Sequence, residues 1–128
     1  MMMEVVELAC YCGHKMGFEA CCKPFIIGKQ NPSSPEQLMR SRYTAYVLID
    51  ADYILKTTHP KTRYLHKKRD ILAWAKESDW AGLDVLEAHD NLVVFKAYYR
   101  DRNQQLITHA ENAVFEQVAG KWFYLTAK

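Results

Sequence analysis

The spacing of apolar positions along this chain changes period near residue 80. Upstream of it, apolar residues recur every three or four positions, which gathers them on one side of a helix. Ser34, Pro35 and Gln37 read as an N-cap, a first helical position and the third residue of a capping box, and they predict a helix running to about Ile49. Met39, Tyr43, Tyr46 and Asp50 form one stripe on that helix, with Leu38, Arg42 and Ala45 beside it. Such a face, apolar with polar tips, serves either as core packing whose phenols reach for partners or as a wall against a ligand. Asp50 or Asp52 opens a short second helix through Tyr53, Ile54 and Leu55, which His59-Pro60 stops. A third amphipathic segment carries Ile71, Leu72, Trp74 and Ala75 and ends near Glu77.

From Trp80 onward the period is two. The runs WAGLDVLEA, LVVFKAYYRD, QLITHAENAVFEQV and KWFYLTA are strand-like, separated by hairpin connections at His89-Asp90-Asn91, Arg102-Asn103 and Ala119-Gly120. Val93, Phe95, Ala97 and Tyr99 face one way in the second run, as do Ile107, His109, Glu111, Ala113 and Phe115 in the third. The opposite face of the third run, with Thr108, Ala110, Asn112, Val114 and Glu116, suits solvent. Three helices followed by an antiparallel meander predict an α+β domain over residues 28–128, a cone in which helices pack into one face of a curved sheet. An acid and a histidine on a face that also carries Phe115 are costly to bury unless paired. Glu111 therefore either accepts hydrogen bonds from helix tyrosines or pairs with Arg42 to organise the core, or it shares a pocket at the cone's mouth with His109.

The segment before the domain, residues 1–27, asks for different chemistry. All four cysteines of the chain fall between Cys10 and Cys22, in the spacing C-x-C-x8-C-C. In a reducing compartment clustered thiols are metal ligands before they are disulfides, and a bridge between the adjacent Cys21 and Cys22 would close a strained ring. Cys10 with Cys12, and Cys21 with Cys22, can each offer two soft donors from one tight turn, as tetrahedral zinc requires. Gly13 and Gly17 let the backbone fold back between the pairs. His14 is a spare donor, expected as an exposed neighbour, and Lys15 and Lys23 are placed to offset the charge of a four-thiolate site. With four sulfurs filling its coordination shell, such an ion is structural rather than catalytic. Its removal is expected to melt residues 8–24 and spare the cone.

Composition and charge exclude more than they suggest. A net charge of +2 over 128 residues leaves no strong electrostatic pull toward nucleic acid or an anionic membrane. The basic run KTRYLHKKRD is the one candidate for a nucleic-acid contact; Tyr64 alone makes no series of stacking platforms, and a solvated face is the plainer reading. The opening MMMEVVELAC lacks the basic region and cleavage site of a signal peptide, and no stretch is apolar enough to span a bilayer. A cytoplasmic protein without membrane contact is expected.

Two stretches resemble known families. CYCGHKMGFEACC is similar to the SEC-C motif, a zinc knuckle first described in the tail of the bacterial secretion ATPase, matching it at Cys10, Cys12, Gly13, Phe18, Cys21 and Cys22. It departs from that motif at His14 and Lys15. The blocks LMRSRYTAYV at 38–47, THP at 58–60, W-x-GL-x-VL at 80–86, E-x-A-x-F at 111–115 and GKWFY at 120–124 resemble the YchJ-like uncharacterised bacterial proteins. That resemblance implies a SEC-C knuckle joined to an NTF2-like cone, with Ala113 standing where the family usually has Ser.

Neither resemblance brings an established activity, and two functions stay open. In the first the chain is an accessory module whose knuckle presents Lys15, Met16, Phe18 and Lys23 to a protein or ribosomal partner. In the second the cone is an enzyme pocket of isomerase or dehydratase type. Glu111 or His109 is then the general base, and Tyr43 or Tyr46 stabilises an enolate-like oxyanion. By analogy with other cone folds, the outer sheet face around Val114 is a candidate homodimer surface.

Overall fold

The computed structural model describes residues 9–128, so the first eight residues of the expected knuckle segment lie outside it. Four helices and four strands follow, one short helix more than the three expected, with the period change as the boundary: α1 (Lys23–Ile26), α2 (Pro35–Val47), α3 (Ala51–Lys56), α4 (Lys68–Glu77), then β1 (Asp79–His89), β2 (Leu92–Arg100), β3 (Leu106–Val118) and β4 (Lys121–Ala127). The strands form one antiparallel sheet in sequence order.

Local chemistry sets the helix ends. Ser34 caps α2 by accepting from the Gln37 amide at 3.2 Å, but the Gln37 side chain accepts from the Ser33 amide at 2.8 Å, so the reciprocal half of the box falls one residue early. α2 stops at Val47, two residues before the expected end, because Ile49 sits in the left-handed region at φ 59°. The Asp50 amide then donates to Ala45 O and the Ile49 amide to Tyr46 O, a Schellman closure built on isoleucine in place of glycine. Asp50, the first of the two expected openers, caps α3 by accepting from the Tyr53 amide at 3.1 Å.

Alternation along the strands does what the sequence pattern requires. Val93, Phe95, Ala97, Ala113 and Phe115 are buried on the concave side, where Leu38, Met39 and Tyr43 of α2 pack against them. The register pairs Phe95 with Glu111 and Ala97 with His109, so the odd polar pair of β3 does face the helices. Register shifts between Trp80 and Gly82, between Val85 and Glu87, and between Val114 and Phe115 curve the sheet. The chain after α3 joins the outer edge of β4: the His59 amide donates to Tyr124 O at 2.7 Å and the Tyr124 amide to Thr57 O at 2.8 Å. That short parallel bridge covers part of an edge otherwise open to other chains.

The amino-terminal segment does not pack as a separate unit. Cys10, Cys12 and Cys22 are buried in the same apolar cluster as Leu38, Val93, Phe95 and Phe115, and Phe18, Ile26, Trp80 and Trp122 pack onto it. The main core of the cone is thus shared with the knuckle, while a second, smaller cluster of Ala45, Ala51, Tyr53, Ile54 and Ile71 lies between α2, α3 and α4.

Candidate functional site

Two sites emerge, one of sulfur and one of aromatic and polar side chains. At the first, the chain turns tightly after Cys10: the Gly13 amide donates to Cys10 O at 3.0 Å and the Cys10 amide to Met16 O at 2.9 Å. Gly13 has φ 87°, and a β-carbon there would approach Leu83 O to 3.4 Å, so this turn calls for glycine. A single 3-10 turn at Phe18–Ala20 then brings Cys21 and Cys22 back to the first pair.

The four Sγ atoms all lie within 4.8 Å of one another; Cys12 to Cys21 is 3.6 Å and Cys21 to Cys22 is 4.0 Å. A tetrahedral ion with sulfur bonds of about 2.3 Å places its ligands about 3.8 Å apart, so the cluster fits such an ion with little movement. His14 is exposed and stands outside the group. Thr44 of α2 donates its hydroxyl to Cys22 Sγ at 3.3 Å, and Arg40 donates Nη1 to Cys12 O at 2.8 Å.

In the metal-free state the thiols cannot all ionise together. The hydrogen bond from Cys22 lowers Cys12 to about 5 against the opposing effect of burial. Burial, helped by the Cys12 charge, pushes Cys21 up to about 12, and the bond to Cys12 raises Cys22 as well. A divalent ion would displace the protons that the raised thiols retain and let all four sulfurs bind as thiolates. The compensating cation is not the expected Lys23, which is held by Glu19 at 3.0 Å. Lys15 is exposed. Arg40 is closer to the cluster: burial works to lower its pKa, but the Glu36 bond and the Cys12 charge outweigh that and leave it raised.

The second site is a cavity of about 270 Å³ enclosed by α2, α4, the loop before α4 and the concave sheet. Tyr43, Tyr46, His109 and Glu111, the four candidates for chemistry, all line it. Trp74 of α4 is the hub of its wall, with ring centroids 5.1 Å from Tyr46, 5.4 Å from Trp80 and 5.3 Å from His109. Glu111 accepts from the Tyr124 hydroxyl at 3.1 Å, and its other oxygen meets His109 Nε2 at 3.1 Å. The tyrosine on Glu111 therefore comes from β4 and not from a helix, and Arg42 does not pair with the acid directly.

Arg42 instead donates Nη1 to Ile54 O at 3.0 Å and Thr57 Oγ1 at 2.8 Å, with its Cζ 4.5 Å above the centre of the Tyr124 ring. Burial raises the phenols around the cavity, Tyr43 to about 12 and Tyr46 and Tyr124 upward as well. They are neutral hydrogen-bonding groups at ordinary pH. Burial together with the Arg42 charge lowers His66 at the mouth. Sequence reading missed Tyr124, Trp74 and Trp80 as cavity residues, along with Thr44 and Arg40 as supports of the sulfur site. Only the position of Arg42 beside the tyrosine stripe hinted at a polar floor. Among the expected display residues of the knuckle, Met16 is 48% exposed, but Phe18 is half-buried and packs on the core and, edge to face, on Tyr11.

Residues 34–127 match the family model described as the YchJ, middle NTF2-like domain. The chain belongs to the YchJ-like, or UPF0225, family. A UPF0225 protein of Deinococcus radiodurans is 38% identical over 118 residues, covering 92% of this chain and 87% of that one. One of Actinobacillus succinogenes is 34% identical over 122 residues, covering 91% and 79%. The fold is shared with the solution structure of a SEC-C motif containing protein from Rhodopseudomonas palustris, at TM-score 0.89 and 35% identity over 94% of this chain and 98% of that one. A SEC-C motif containing protein from Psychrobacter arcticus superposes at TM-score 0.72 and 32% identity, covering 87% of this chain and 71% of that one. In this UPF0225 chain Ala113 is fully buried in the apolar core and is not part of the cavity lining, so the Ser-to-Ala departure leaves the cavity's polar groups untouched. No helix among the described residues is long and apolar enough to cross a membrane.

Proposed function

We propose that this UPF0225 chain is a small-ligand-binding protein of the cytoplasm, in which a structural zinc ion held by Cys10, Cys12, Cys21 and Cys22 braces the cone and the aromatic cavity is the working site. The single observation that carries the reading is the convergence of Arg42, Glu111, Tyr124 and His109 on one apolar-walled space of about 270 Å³. Arg42 is buried there and the other three partly so, and a buried charge is expensive unless it serves a purpose in the core or at a ligand. Zinc follows from the donor set, since four converging thiolates suit it and leave no open position for water. The test is an NMR screen of the zinc-loaded protein with flat fragments, neutral and charged, read on the Trp74 indole and the resonances of His109. Shifts confined to those groups support the reading; fragments that bind elsewhere, or not at all, refute it.

A second reading keeps the knuckle as a docking surface for a protein or ribosomal partner, and the exposure of Tyr11 at 49% and Met16 at 48% favours it. Phe18 and Lys23 contribute less than the motif suggests, being engaged within the chain. Within the basic run, Lys68 pairs with Asp52 at 2.9 Å. Replacing Met16 and Tyr11 together should abolish recovery of a partner without changing metal content, and unaltered recovery would remove this reading.

A further inference from the structure

We propose that the cavity binds the carboxylate of a small planar ligand on the Nε and Nη2 donors of Arg42. This rests on the small-ligand reading above and names its ligand class. Arg42 is only 6% exposed, and its Nη1 is spent on Ile54 O, Thr57 Oγ1 and Thr58 Oγ1 at 3.0, 2.8 and 3.3 Å. Those three acceptors and the Tyr124 ring 4.5 Å away fix the plane of the guanidinium. Its Nε and Nη2 find no acceptor among the described residues. Trp80 Nε1 is the buried side-chain polar atom left without a partner there, so the two Arg42 nitrogens are not sealed in protein, and Arg42 is one of the residues that line the cavity.

The geometry selects the ligand group. Nε–H and Nη2–H lie along one edge of the guanidinium and point the same way, a fork that matches the two oxygens of a carboxylate. Charge selects it as well, because a buried cation without a contacting acid is costly. Glu111 does not fill that role: its oxygens are turned to His109 and Tyr124, with the Tyr124 hydroxyl on Glu111 and the Tyr124 ring face under Arg42. The ligand's acid is thereby directed to Arg42 and away from Glu111, and Trp74 and Trp80 offer walls for a flat apolar body.

The experiment is a titration of the zinc-loaded full chain with benzoate and with its neutral counterpart benzamide, followed by NMR on the Arg42 Nε–H and Trp74 indole signals. Benzoate should shift both signals and bind about tenfold more tightly than benzamide or better. Arg42→Lys keeps the positive charge but loses the fork, and should erase that preference. If this variant does not fold, the Nε–H signal of the unaltered protein decides alone. Equal binding of the two probes, or benzoate binding that leaves the Arg42 Nε–H unmoved, overturns the carboxylate fork while the cavity remains a ligand site. Failure of benzoate to bind, with neutral fragments still reaching Trp74, overturns the fork alone; silence from every fragment overturns both.

Discussion

Stripping the metal from the zinc-loaded protein with a chelator, under reducing conditions, should destabilise the whole chain and not its amino-terminal segment alone. Without an ion, two thiolates about 4 Å apart repel by about 4 kcal/mol at an effective dielectric near 20, so once Cys12 ionises Cys21 and Cys22 keep their protons and the cluster is left with S–H contacts in place of metal bonds. The segment then loses its crosslink. If it detaches, Cys10, Cys12 and Cys22, now 4%, 0% and 1% exposed, are uncovered along with the packed faces of Phe18 and Ile26. At the usual value per unit of apolar area, about 1 kcal/mol for each of those five side chains gives a loss of about 5 kcal/mol. For a domain of this length that is about 15–20 °C in Tm, and it approaches the entire stability of a small domain. Trp74, Trp80 and Trp122 all lie outside the segment, so their fluorescence during thermal unfolding reports on the cone. A tryptophan transition that stays within about 2 °C after demetallation, while knuckle signals vanish, would refute the shared core.

Further perturbations test other parts of the structure. Thr44→Val removes the hydroxyl that donates to Cys22 Sγ and should weaken metal affinity about tenfold, measured by competition with a chromophoric chelator. Phe115→Ala opens a void at a fully buried position and should cost about 3–5 kcal/mol in urea unfolding. Tyr43 and Tyr53 are each raised to about 12 by burial, so their contribution to stability is complete below their ordinary value near 10 and is lost as pH rises toward 12. Phenolate absorbance should therefore show these tyrosines ionising only as the fold is lost, and smooth early titration of every tyrosine would contradict their burial.

What was legible in the sequence was local. The alternation in β3, read one residue at a time, put His109 and Glu111 on the same face as Phe115, and a strand cannot move them off it without moving Phe115 too. Ser34 and Asp50 marked helix starts because a cap and its amide lie three residues apart. The end of α2 was misjudged because isoleucine gives no sign that it will adopt a left-handed backbone. Long-range partners were out of reach for the same reason. Nothing near Cys22 points to Thr44, nothing near Glu111 points to Tyr124, and the free edge of Arg42 depends on carbonyl and hydroxyl groups of the α3 C-terminus that only the packed fold supplies.

The contact between Arg42 and Tyr124 also orders events during synthesis. The four cysteines, and Thr44 that donates to one of them, all lie within the first 44 residues, whereas the cavity floor waits for β4. A chain that stops before Tyr124 keeps all four sulfur donors yet lacks the ring under Arg42 and the hydroxyl on Glu111, so a finished cavity reports that the last strand is in place.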